Sequence, residues 1–187
     1  VWIRPWLYVV DSAVGGDIPV VLLDTDVDQN HSDDRAITDD LYGGDVLHRL
    51  KQEAILGIGA ARILRALGFE IGFYHLNEGH AALLAVELLR RTRNPAAEER
   101  PDDCESDPPS DEDLCAQCLF DVVQVRTRCA FTTHTPVESG HDRFDYRDVK
   151  RVLGDFIDVD QLRLLSGPNN LNMTRLALNL SGYVNGV

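Results

Sequence analysis

Three of the six histidines, His80, His134 and His141, fall in polar turns that follow short apolar runs. Asn77, Glu78 and Gly79 precede His80, Thr135 follows His134, and Asp142 follows His141. Neutral imidazole, amide and hydroxyl groups can each donate and accept, and a carboxylate can accept from hydroxyls in pairs. That inventory suits a neutral polyhydroxylated ligand such as a sugar. Hydrolysis of a glycosidic bond would need two carboxyls at a set separation across it, a distance that Glu78 and Asp142 leave open in the sequence. The plainer reading of 77–80 is a capped helix with one solvated histidine.

Two strand-to-helix turns would have to bring these groups together. Phe73–Leu76 reads as the end of a buried strand and Ala81–Leu89 as a buried helix, because the latter is apolar at almost every position. Asn77 is expected to cap the first turn, Gly79 to bend the backbone, and Glu78 and His80 to face a crevice. Phe131–Thr133 repeats the pattern before His134. Neighbouring parallel strands point the same way, and open α/β sheets bind ligands at their carboxyl ends. His134 should therefore share an edge with Asn77, Glu78 and His80.

The remaining elements follow from periodicity. Trp2–Val10 reads as a strand pushed towards an edge by Pro5, and Ile18–Asp24 as a strand buried on both faces. Thr25–Asp45 is a long polar connection. Val46–Leu67 reads as one long helix, with Gly57 and Gly59 expected to allow close backbone packing and Gly68 to stop it. Phe69–Leu76 is the next strand. Leu114–Val122 has helical spacing, and a strand is expected at Cys129–Thr133. Further helices are expected at Tyr146–Phe156, at Asp158–Leu165 and from an Asn172 cap to Leu180, before a strand at Tyr183–Val187. This order predicts an α/β fold with a mainly parallel, Rossmann-like sheet and flanking helices.

The net charge of −13 is uneven: Thr92–Cys118 holds nine acidic residues against Arg93 and Arg100 and carries −7 of it. With four prolines and little apolar surface, this stretch is expected to be a mobile acidic insertion. The absence of a basic stripe argues against nucleic acid, and no apolar run is long enough to span a bilayer. Without a recognisable leader at Val1, a cytoplasmic location is expected. Cys115 and Cys118 form one tight pair, with Cys104 and Cys129 apart. They are expected to be reduced thiols on an apolar helix face rather than metal ligands.

The segments HLNEGHAA (75–82) and FTTHTPVESGHD (131–142) together resemble the α-glucan phosphorylases, especially the shorter bacterial and archaeal type. The likeness extends to Leu22–Asp26, Asp34–Thr38, Leu41–Asp45, Arg49–Glu53 and Tyr183–Val187, and leaves out only about 92–118. It implies that residues 1–187 are part of the N-terminal domain of a two-domain GT-B glycosyltransferase, and that its C-terminal domain is absent here. The implied reaction is attack of inorganic phosphate on a terminal α-1,4-glucosyl unit to release glucose 1-phosphate, in an allosteric cytoplasmic enzyme that can form homo-oligomers.

The resemblance makes His134 the catalytic residue, hydrogen-bonded to the transferred sugar. Asn77, Glu78, His80, Thr135 and Asp142 become substrate-binding residues. Its cofactor is pyridoxal phosphate, whose attachment lysine and phosphate-binding Arg and Lys belong to the absent domain. The family's Gly-rich loop is also missing. Lys51 and Lys150, the two lysines present, are expected to be solvated, and no cofactor ligand or metal ligand is expected in this chain. The fragment alone is thus expected to be inactive. The alternatives are a non-catalytic glucan-binding or assembly fragment of the same fold, and a related retaining glycosyltransferase using a nucleotide sugar.

Overall fold

The computed structural model describes residues 1–41, 44–92, 120–137 and 140–187. The expected insertion beyond Thr92, with Cys104, Cys115, Cys118 and most of the Leu114–Val122 helix, lies outside the described residues.

The chain opens with an antiparallel ribbon, β1 (Arg4–Asp11) against β2 (Asp17–Asp24), in register from Arg4↔Asp24 to Asp11↔Asp17. The expectation that Ile18–Asp24 is buried on both faces is overturned: Ile18 and Leu22 are about half exposed. Neither strand joins the parallel sheet. A short apolar run does not by itself reveal its layer, and this one pairs only with its hairpin partner among the described residues. Asn30 ties the two ends of the ribbon together. Its Nδ2 donates to the Trp2 carbonyl at 2.8 Å and to the Thr25 carbonyl at 2.7 Å, and its Oδ1 accepts from Trp2 N–H.

The polar connection that follows is ordered around buried Thr25 and Ile37 and contains α1 (Ser32–Arg35) and a 3-10 turn (Ala36–Thr38). Gln52 fastens it by donating to the carbonyls of Ile37 and Asp40. The expected long helix forms as α2 (Val46–Ala54), a π-helical turn (Ile55–Gly59) and α3 (Ala60–Ala66), capped by Asp45 and closed by Gly68 at φ +83°. At Gly57 an added Cβ would lie 2.6 Å from the Leu84 nitrogen, so the expected backbone contact is present. At Gly59 the neighbour is a side chain, Ile3 Cδ1.

The core sheet holds three parallel strands in the order β3 (Tyr74–Asn77), β4 (Cys129–Thr133), β7 (Tyr183–Gly186). The expected strand start at Phe69 is too early: pairing begins at Tyr74, and Phe73 is exposed. As an edge strand, β3 fully buries only Leu76 of its four residues, while central β4 buries its first four. Leu76 and Phe131 are register partners and both belong to the main core, with α4 (Leu83–Arg90), α5 (Val122–Arg126) and α8 (Met173–Asn179). Asn172 caps α8 as expected, accepting from Arg175 N–H at 2.9 Å. Before it come β5 (Arg143–Phe144), α6 (Tyr146–Leu153), α7 (Val159–Ser166) and β6 (Leu171–Asn172), with β5 and β6 antiparallel. The molecule is therefore α/β with a parallel three-stranded sheet and packed helices.

Candidate functional site

The register sets the site. Asn77 is paired with Thr132, so β3 and β4 end side by side and their following turns emerge at one sheet edge. Asn77 does not cap a helix. Its Oδ1 accepts from His134 Nε2 at 2.8 Å across the two strand ends, so the local capping preference is overridden by a partner 57 residues away. With Nε2 donating, His134 Nδ1 carries the lone pair and can accept from an incoming hydroxyl. Both side chains are on the exposed side of the edge.

The sharp bend also differs from expectation. The left-handed residue is Glu78, at φ 64° and ψ 169°, a region that is essentially glycine-only and costs on the order of 1–3 kcal/mol. Gly79 has an ordinary backbone and is small for another reason: a Cβ there would lie 3.2 Å from Met173 Cβ and from Thr174 N on α8. Nor does the Glu78 side chain line an open crevice. It is 8% exposed and accepts from the Thr133 hydroxyl at 3.2 Å, the Thr135 hydroxyl at 3.3 Å and the His134 N–H. Burial alone would raise its pKa, but these donors, led by His134 N–H, hold it below the ordinary carboxylate value.

His80, Thr135 and Asp142 line a cavity of about 510 Å³ together with Arg49, Arg143 and Phe144. Asp142 is brought there by the turn before β5, and its carbonyl accepts from Met173 N–H at the start of α8. Its neighbour His141 bonds Thr174, whose Oγ1 lies 2.8 Å from Nδ1. Asp142 Oδ2 lies 3.0 Å from His80 Nδ1 and 3.4 Å from Arg49 Nη2. Beneath them is Glu53, whose side chain is only 2% exposed. Its Oε1 lies 3.1 Å from Arg49 Nε, close enough for charge attraction, although neither Glu53 oxygen receives an aligned hydrogen bond among the described residues.

These positions explain the ionisation of the cluster. Burial pushes Glu53 up to about 7, partly opposed by His80. The hydrogen bond to Asp142, with the Glu53 carboxylate 3.8 Å away as a further contribution, raises His80 to about 9, and the bond to His80 lowers Asp142 to about 2. Donor atoms of Glu53, His80 and Asp142 lie within 4.8 Å of one another, a spacing that could hold a metal. Arg49 stands among them, within ion-pair distance of Glu53 and Asp142, and His80 lies against Asp142, so the same groups form an ion-pair network.

Of the expected residues, His80, Thr135 and Asp142 thus share a cavity, Asn77 and His134 bind each other beside it, and Glu78 holds the turn between them. Arg49 and Glu53 did not emerge as site residues from the sequence, although Glu53 carried a signal. It sits three residues after Leu50 on the apolar stripe of α2, where a charge has no place in a plain core. The described thiol, Cys129, is buried in β4, which pushes its pKa up to about 11.

No family model matches the chain. Individual relatives do. Maltodextrin phosphorylase of Thermococcus litoralis is 38% identical over 176 residues, covering 92% of this chain and 19% of its own length. Glycogen phosphorylase of Mycobacterium tuberculosis is 35% identical over 193 residues, covering 92% and 20%, respectively. Glycogen phosphorylase of Aquifex aeolicus is 29% identical over 212 residues, covering the whole chain and 27% of the relative. Over nearly its whole length, therefore, the chain is similar to glucan phosphorylases, and it spans about a fifth of the length of the first two of these relatives.

Proposed function

We propose that this chain supplies part of the sugar-binding wall of an α-1,4-glucan phosphorylase, which uses inorganic phosphate to release glucose 1-phosphate from glycogen or maltodextrin. The observation that carries the reading is the joining of Asn77 to His134 at the ends of two parallel strands, beside a cavity holding His80, Thr135 and Asp142. A hydroxyl-rich ligand is suited by such a set, and relatives matched along 92% of the chain bear phosphorylase names. On this reading the chain belongs to a two-domain GT-B glycosyltransferase acting in the cytoplasm. His134 bonds the transferred glucosyl unit there, and Asn77, His80, Thr135 and Asp142 complete the wall.

The family's pyridoxal phosphate does not fit the amines of this chain. Lys51 Nζ is 2.6 Å from Asp34 Oδ1, and Lys150 Nζ is paired with Asp155. Neither offers an unengaged amine for a Schiff base, so we assign cofactor attachment to residues outside this chain and derive no step through it.

The test is exchange of a segment. Residues 1–187 replace the matching fifth of the Thermococcus litoralis maltodextrin phosphorylase, and phosphate-dependent formation of glucose 1-phosphate is measured. Retained phosphorolysis is the expected result. A folded chimera that holds its cofactor and binds maltodextrin but forms no product would overturn the assignment.

A further inference from the structure

The residue whose backbone is most costly at this site is also one whose side chain crosses to the facing segment. Glu78 lies in a conformation that glycine alone adopts freely, at φ 64° and ψ 169°. Its N–H donates to the Thr132 carbonyl at 2.9 Å, extending the parallel ladder one step past Asn77. The chain then turns, and the carboxylate reaches the next three residues of the facing segment. It receives the hydroxyls of Thr133 and Thr135 at 3.2 and 3.3 Å and the main-chain N–H of His134. A buried carboxylate holding three donors is a strong, charge-assisted anchor.

Two consecutive residues thereby hold one histidine at two points. Asn77 fixes the His134 ring through Nε2, and Glu78 fixes the His134 main chain. The exposed ring would otherwise sit at the tip of a turn with Pro136 behind it and two rotatable side-chain bonds of its own. Glycine at 78 would relieve the backbone and lose all three anchoring bonds.

We propose that Glu78 is a positioning residue: it accepts a strained backbone in order to clamp residues 133–135, and through that clamp it sets where His134 points. Its role rests on the phosphorylase reading only as far as turnover is concerned, because the clamp itself is independent of any reaction.

The test uses the full-length protein with Glu78→Gly, Glu78→Gln, His134→Ala and the Glu78→Gly/His134→Ala double variant. Amide hydrogen exchange, read by mass spectrometry on peptides spanning 131–137, should accelerate by about tenfold or more in Glu78→Gly, while peptides from α6 and α7 keep their wild-type rates. Unchanged exchange at 131–137 would overturn the clamp. If the glycine variant does not fold, Glu78→Gln decides. Its neutral amide accepts more weakly, so exchange there should be faster than wild type, and an identical rate would refute the proposal.

For turnover, Glu78→Gly should lower kcat/KM by about tenfold, with Glu78→Gln restoring most of it. The double variant should be no slower than His134→Ala alone, because the two residues act through one group. Losses that multiply would show that Glu78 does not work through His134. A protein without phosphorolysis but with loosened exchange in Glu78→Gly would retain the clamp and remove the phosphorylase reading.

Discussion

Arg49 Nη2 and Asp142 Oδ2 compete for one atom: they lie 2.8 and 3.0 Å from His80 Nδ1, which cannot accept from the first while donating to the second. The carboxylates decide between them. Asp142 and Glu53 both favour the charged imidazole, so Nδ1 donates to Asp142 and the guanidinium is held beside it by Glu53 and Asp142. His80 is therefore a cation at neutral pH, paired with Asp142 on the wall of the cavity.

The first prediction is spectroscopic. The nitrogen shifts of His80 should report a doubly protonated ring at pH 7 that loses its proton near about 9. Glu53→Gln removes the second carboxylate that raises this value, 3.8 Å from Nδ1, so the titration should move down. A His80 that titrates at its ordinary value of 6.5 in the wild type would refute the network.

The second prediction concerns stability against pH. Glu53 has a folded value of about 7 against 4.5 ordinarily, so the folded state holds its proton longer and stability falls as pH rises across that window. His80 acts in the same direction: its contribution is full below 6.5 and is lost as pH rises through about 9. Asp142 acts oppositely, contributing fully above 3.8 and losing that contribution as pH falls through about 2. These groups titrate as one coupled set. Denaturant unfolding should show the wild type losing stability relative to Glu53→Gln between about pH 4.5 and 7. A constant difference between the two proteins over that range would count against the buried charge.

The third prediction separates the two halves of the site. On the proposed phosphorylase reading, His134→Ala should lower kcat/KM for glucan by about a hundredfold, the scale of a lost bond to a buried sugar hydroxyl, on the order of 2–3 kcal/mol. Asn77→Ala should have a smaller effect of the same sign, because it frees the ring that it holds without removing it. Equal activity of His134→Ala and wild type would remove His134 from the reaction.

The placement of His134 was legible because it depends on direction alone. Parallel strands that end in register bring their following turns together, and the β3 and β4 assignments rest on local apolar runs. What Asn77, Glu78 and Gly79 do individually was not legible. Local rules assign a cap to Asn77 and a bend to Gly79, but distant partners decide otherwise: His134 takes the Asn77 amide, and α8 takes the space at Gly79. The ribbon formed by β1 and β2 was misread for a related reason. Its strands are apolar on residues facing both ways, and only pairing reveals which layer they join. Glu53 was hidden inside a helix whose pattern was otherwise clear, although its place on the apolar stripe marked it.

The last prediction tests how the long helix sits against the site. Gly57 lies in the π-helical turn where the 46–66 helix crosses the start of α4, the helix that follows His80. In an isolated helix, replacing glycine by alanine gains about 1 kcal/mol. Here the new methyl would lie 2.6 Å from Leu84 N, 2.8 Å from Leu83 C and 2.9 Å from Leu83 Cβ, and two of these three are backbone atoms that cannot rotate away. Separating the helices would also pull α2, with Arg49 and Glu53, away from His80. Overpacking of this kind costs roughly 1–3 kcal/mol, which outweighs the gain in propensity. Gly57→Ala should therefore lower the unfolding free energy and move the His80 titration towards its ordinary value, since Glu53 and Asp142 would no longer be held as closely. Gly68→Ala is a control of a different kind: nothing lies within 4 Å of its added methyl, and any loss there comes from its positive φ alone, with His80 unaffected. A Gly57→Ala protein as stable as wild type with an unshifted His80 would show that the helix crossing has room to spare and does not set the geometry of the charged cluster.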